Sequence, residues 1–313
     1  MKLFVKCLIG YFTTLYFAAS VVGQESNSAI EQSRLFQSAR QTTGAPVDAS
    51  GVPLAIPEST PSEDISFGKQ QILKAEEKIP AFTISGDASV FYTDNVALTR
   101  TDKISDVFFA GDAAFSWAPR INNELQLQAG ARASIFRYND TSELDFESLG
   151  AGVGAFWTPR WARGVALSAR YDFTELLDRH SNELLEDHEF SLAAQKIVVL
   201  GRSHALSFGV IGSVGISDPF VQQRDQVAGV IGYHLQLTRY FGTDFGYRLA
   251  GYFYNAGDRT DLNQILSVAG HWRLTRWATL EGFLSYASNY SNTRAFKYEV
   301  FSTGGGLGVI VRF

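Results

Sequence analysis

Cysteine is nearly missing from this chain of 313 residues: Cys7 is the one thiol, and it stands in a segment expected to be removed. The remainder therefore has neither a disulfide framework nor a thiolate metal site. Proline is scarce, with 8 residues, which leaves room for long uninterrupted strands. Past residue 22 no apolar run is long enough for a membrane helix; the purest is Ile197-Val198-Val199-Leu200. No sign of charge dominates: 27 Lys and Arg face 32 Asp and Glu, a net −5, which implies no nucleic-acid partner. Gly304-Gly305-Gly306 precedes a strand pattern rather than a helix, so it is no phosphate loop and reads instead as a place where the last strand bends.

What is present is aromatic and glycine-rich: 24 Phe, 13 Tyr, 5 Trp and 28 Gly. That mixture suits long strands facing an apolar medium. At the N-terminus, Lys2 and Lys6 precede an apolar run from Leu8 to Val22, and Val21-Val22-Gly23 supplies small residues before Gln24. Residues 1–23 read as a cleaved export signal, with an uncleaved anchor as the alternative. Residues 24–80 are rich in Ser, Gln, Glu, Ala and Pro with few aromatics. Such a composition buries too little apolar surface to offset chain entropy, so a disordered periplasmic linker is expected there.

From Phe82 onward residues alternate in twos. Leu307, Val309, Val311 and Phe313 oppose Gly306, Gly308, Ile310 and Arg312; Phe245, Tyr247, Leu249 and Phe253 oppose Asp244 and Arg248. Alternation alone fits a soluble sandwich with its apolar face inward or a membrane barrel with that face outward. Turn spacing separates the two. Arg120, Arg160, Arg202, Arg239 and Arg276 mark tight turns about every 40 residues, one hairpin per repeat, with longer polar loops between. Strands of that length exceed those of sandwiches. Trp117, Trp157, Trp161, Trp272 and Trp277, with Tyr240, all cluster by these turns, as an interfacial girdle would. The expected fold is all-β: a transmembrane antiparallel up-and-down β-barrel over 81–313, of about twelve strands (10–14), with the disordered N-terminal extension.

The closing strand Val309-Ile310-Val311-Arg312-Phe313, ending on phenylalanine, resembles the C-terminal signature of Gram-negative outer-membrane barrels. The segments Phe91–Val96 and Tyr286–Asn289 are similar to those of porin-like barrels of the same kind. The resemblance covers residues 82–313. It implies an outer-membrane location, contact with its lipids, and a barrel-assembly machinery that reads Leu307, Val309, Val311 and Phe313.

By alternation the polar face carries Asp87, Asp112, Arg132, Arg170, Asp172, Glu189, His234, Arg248, His271, Arg273, Glu281 and Arg312, which are expected to line the lumen. Charge inside a pore tunes solute preference. Equally, such residues can pair across a narrow interior and plug it. Passive diffusion of a small polar solute through a narrow, porin-like channel is the first functional expectation. A plugged structural or adhesive barrel that binds through its loops is the second, and a rim lipid or ester hydrolase the third. For the hydrolase, His180 and Ser181 are adjacent, which on a strand sends them to opposite faces. No enzyme activity and no cofactor is expected. His188, His234 and His271 lack metal-ligand spacing and read as structural histidines of a polar lumen.

Overall fold

The computed structural model describes residues 27–42, 81–201 and 203–313. The expected export signal at 1–23, most of the expected linker (24–26 and 43–80) and Arg202 lie outside the described residues.

Twelve strands follow one another: β1 (Phe82–Thr93), β2 (Asp106–Trp117), β3 (Leu125–Tyr138), β4 (Phe146–Trp157), β5 (Val165–Asp178), β6 (Glu183–Val199), β7 (His204–Asp218), β8 (Arg224–Gln236), β9 (Phe241–Tyr254), β10 (Thr260–Arg273), β11 (Ala278–Ser291) and β12 (Tyr298–Arg312). Each pairs antiparallel with its sequence neighbours, and β12 returns to β1, so the sheet is a closed barrel. The seam is completed by a reciprocal backbone pair. The Phe82 N–H donates to the Phe313 carbonyl and the Phe313 N–H to the Phe82 carbonyl, both at 3.0 Å. Their rings stack at 5.7 Å. Closure matters because hydrocarbon offers no partner for a sheet edge.

The recurring turn motif has a local cause. The hydroxyl of Thr238 accepts from the Phe241 N–H at 3.0 Å, and that of Thr275 accepts from the Ala278 N–H at 3.0 Å. Each threonine thus satisfies a backbone donor that its tight turn leaves unpaired. Both strand ends of the chain and all five tight turns lie at one rim, the short-turn rim; the longer loops make the other. Trp117, Trp157, Trp161, Tyr240, Trp272 and Trp277 are exposed at the short-turn rim.

The outward face is apolar: Leu192, Val210, Val214, Val227, Leu249 and Leu266 all stand exposed. Toward the long-loop rim this band ends in charge, with Arg137 paired to Glu147 and His188 to Glu186. His188 is therefore not in the lumen as expected from the sequence. Its neighbour Glu189 takes the inward position, so the pleat turns His188 outward onto the Tyr171 hydroxyl at 2.8 Å. Lys196, where the alternation of β6 falters, also points outward, and its position close to the short-turn rim lets the ammonium reach water.

One expectation is corrected in part. Residues 27–42, read as disordered linker, form a helix, α1, within the barrel. Asn27 to Thr43 contains neither Gly nor Pro, while Gly44 and Pro46 follow at once, a stop signal for a helix. The entropy argument failed because it counted only apolar surface. A polar helix inside a polar lumen is stabilised by hydrogen bonds and ion pairs as well as by burial.

Replacing Val210 with Arg, at mid-strand on the outward face, is expected to lower stability in bilayers by about 2–4 kcal/mol. Urea unfolding from lipid vesicles measures this; an unchanged midpoint would show that Val210 does not face lipid.

Candidate functional site

The site is the lumen together with the helix standing in it. The first turns of α1 meet the long loops. Ser28 Oγ donates to the Ala97 carbonyl at 3.2 Å, and the Gln32 amide donates to the carbonyls of Val96 (2.8 Å) and Asn95 (3.1 Å). Its last turn reaches mid-barrel, where a Cβ at Gly246 of β9 would overlap the Thr42 carbonyl. Glycine is required there because the helix backbone passes directly over the strand. Thus α1 descends from the long-loop rim to the middle of the barrel.

Two sides of α1 are dry. On one, Phe36 meets Phe91, Phe136 and Phe108 edge-on at 5.0, 5.1 and 6.0 Å. These belong with Ile30, Val96, Phe146, Leu176 and Leu185 to a buried cluster. On the other, Leu35 and Ala39 pack on Leu98, Ile265, Ala287, Tyr298 and Val300. Under the long loops the interior is a hydrophobic core shared by strands and helix, which the polar face read from alternation did not reveal. Gly304 of β12 leaves the room that Phe91 needs, since a Cβ there would overlap the ring. The glycine run expected to bend the last strand therefore also makes space inside.

The remaining contacts are ionic and sorted by height. Near the long-loop rim Glu31 lies among Arg224 (3.7 Å), Arg259 (3.4 Å) and the Tyr254 hydroxyl, which donates to it at 2.9 Å. Burial alone would push the Glu31 carboxyl up; the guanidiniums of Arg224, Arg259 and Arg34, with the Tyr254 hydroxyl, outweigh it and hold it below the usual carboxylate range. Arg34 faces Asp187 at 3.5 Å. Two turns further on the sign reverses, and Arg40 faces Asp87 (3.1 Å), Glu281 (3.4 Å) and Asp112 (3.6 Å). An acid on the helix meets bases on the wall, and a base meets acids.

Other residues named from the sequence also turn inward. Glu281 continues through His271 (3.7 Å) to Asp244 (2.9 Å) and on to His234 (2.6 Å), a chain in which acids and histidines alternate across β8–β11. Arg170 donates to Asp172 at 2.6 Å and to Gln128 at 2.8 Å. Glu189 accepts from the Gln226 amide at 3.1 Å, and Arg248 donates to Gln226 at 3.0 Å and to the Tyr252 hydroxyl at 2.8 Å. Arg132 shares the register of Ser134, whose hydroxyl donates to Asp112; Arg273 shares that of His271, and Arg312 is opposite buried Thr83. These three arginines are exposed, Arg273 and Arg312 near the short-turn rim and Arg132 at the middle of β3. His180, by contrast, is in the exposed β5–β6 turn with its ring 4.0 Å from Asp178, and among the described residues no hydrogen bond joins it to the Ser181 side chain.

Sequence reasoning missed Glu31, Arg34, Phe36 and Arg40 on α1 and Arg224, Tyr254 and Arg259 on the wall. The paired charges Glu31 and Arg40 were visible, but their partners are some two hundred residues away or on strands not known to be adjacent.

No family profile matches the sequence, and no curated protein matches it either. Solved structures do resemble the barrel. An outer membrane channel from Pseudomonas putida F1 superposes with a TM-score of 0.54 at 10% identity, over 74% of this chain and 96% of that one. The fold is that of an outer-membrane barrel. The translocator domain of autotransporter NalP from Neisseria meningitidis (TM-score 0.42, 8% identity, 76% and 90% covered) is also similar. So is an anion-selective porin from Comamonas acidovorans (TM-score 0.41, 8% identity, 74% and 98% covered). A closed antiparallel barrel, banded with apolar side chains outside and girdled by tryptophan at one rim, is a porin-like architecture of the outer membrane.

Phe36 is the apolar anchor of α1, so its replacement by Ala is expected to weaken docking by about 3 kcal/mol. Limited trypsin digestion of the folded protein should then cut at Arg34 or Arg40 in the variant and spare the parent; equal resistance of both would remove Phe36 from that role.

Proposed function

We propose that this barrel passes small polar solutes across the outer membrane by a narrow route, with α1 setting how far the outer half of the lumen is open. The observation that supports it is the unequal burial of the inward side chains along the barrel among the described residues. From mid-barrel (Arg132) to the short-turn rim (Arg273 and Arg312) the inward arginines are exposed. On the long-loop side the same lumen is closed around α1 by aromatic rings and ion pairs. Inward charge on the wall beside a docked helix suits a restricted pore, since such charge selects among solutes. Export on the cleaved signal at 1–23, and insertion by an assembly machinery that reads Phe313, belong to the same reading.

The tight packing of Phe36 also favours a second reading, in which α1 is a permanent core and the barrel acts through its loops as a structural or adhesive surface protein. Planar-bilayer recordings separate the two. The parent protein is expected to conduct weakly, and deletion of residues 27–42 to give a larger conductance from a barrel that still runs as a folded species in unheated gels. Replacing Arg132, Arg273 and Arg312 with Gln in the deleted form should shift selectivity toward cations. A folded deletion variant without current would leave the structural reading standing and end the channel one.

A further inference from the structure

Under the long-loop rim the barrel wall forms a cradle for a carboxylate, and the helix fills it with a side chain of the same chain. Each oxygen of Glu31 has its own cation: Oε2 lies 3.7 Å from Arg224 Nη1, and Oε1 lies 3.4 Å from Arg259 Nη2. The Tyr254 hydroxyl adds a third donor at 2.9 Å. Both guanidiniums are held against aromatic faces. Arg224 stacks 4.0 Å from the Tyr252 ring centre, while Arg259 sits between Tyr254 (3.9 Å) and Phe296 (3.4 Å). Stacking of this kind fixes the donors in place before any anion arrives.

Charge on the wall is not balanced without the helix. Arg259 is matched by Asp261 at 2.5 Å. Among the described residues Glu31 is the one carboxylate within ion-pair distance of Arg224, and Arg248 alongside has none. Removing Glu31 would leave Arg224 buried with no carboxylate in reach among the described residues, beside an Arg248 that already has none, a state that draws in an anion. The fit of Glu31 is also loose. Its distances to the two arginines exceed the 2.7–2.9 Å of a close charge-assisted contact. A carboxylate not tethered to a helix backbone can approach both cations more closely.

We infer that this cradle binds small carboxylated solutes arriving from the long-loop side, and that Glu31 occupies it in their absence. Solute and helix then compete for the same three donors, so binding loosens α1 at its outer end. The inference rests on the channel reading only for the onward passage of the solute; the binding itself is independent of it.

Titration calorimetry of the full mature protein in detergent, with sodium glucuronate as probe and glucose as neutral control, provides the test. Glu31→Ala empties the cradle and should bind glucuronate at least about tenfold more tightly than the parent, with no change for glucose. Adding Arg224→Gln to that variant should abolish the gain. If Glu31→Ala does not give the folded, heat-modifiable gel species, Glu31→Ser, which also vacates the cradle, carries the same comparison. In the parent, glucuronate but not glucose should hasten trypsin cleavage at Arg34. A folded Glu31 variant with parental affinity for glucuronate, or one that gains equally for glucose, overturns the proposal. Binding as expected without bilayer current would retain the cradle and remove the channel; current without binding would do the reverse.

Discussion

A strand in hydrocarbon must pair both of its edges, and the contact that meets this demand for the whole sheet is the β1–β12 seam. There β12 runs antiparallel along β1, and the two carbonyl–amide bonds between Phe82 and Phe313 complete the ring. Everything else follows from closure. A closed ring of pleated strands has an inside and an outside, and each strand must assign alternate residues to them. The outside meets lipid and becomes apolar. The inside is left as a volume that must be wetted or filled.

Among the described residues, filling is uneven with height. Near the short-turn rim Arg273 and Arg312 are exposed, whereas toward the long loops the interior is packed as a globular protein is packed, with Phe36 of α1 edge-on to three phenylalanines of the wall. The helix is held in register by charge as well. Its one acid, Glu31, faces wall arginines, while Arg34 and Arg40 face wall acids, so sliding α1 by a turn would part all three from their partners. Charges parted from their partners in a partly dry interior are costly. The two clusters therefore fix the depth of α1, while the aromatic contacts fix its side.

The same arrangement couples the helix to the wall beyond direct contact. Arg40 touches Glu281, which is joined through His271 and Asp244 to His234 across four strands. The inward histidines that looked isolated in sequence are adjacent in space because β8, β9, β10 and β11 are consecutive staves of one barrel. His188, on an odd count from Glu189, went the other way.

How much was legible follows from the range of each interaction. The twelve strands, the rim that carries tryptophan and the inward placement of residues such as Asp112 and Arg170 rest on alternation and on turn chemistry at Thr238 and Thr275, which are local and therefore written in the sequence. Lipid strengthens the pattern, because it penalises charge on one face at every strand. The helix escaped for the opposite reason. Inside a lumen α1 is contacted on several sides, so Ile30, Leu35 and Phe36 form no single apolar stripe, and Glu31 and Arg40 read as solvated charges. Only the closed barrel brings Arg224, Tyr254 and Arg259 around Glu31 and Asp87 around Arg40, since partners so far apart in sequence are defined by the order of strands and the height of each residue within them. The sequence by itself determined the barrel and its two faces; what occupies its interior was decided by the tertiary structure.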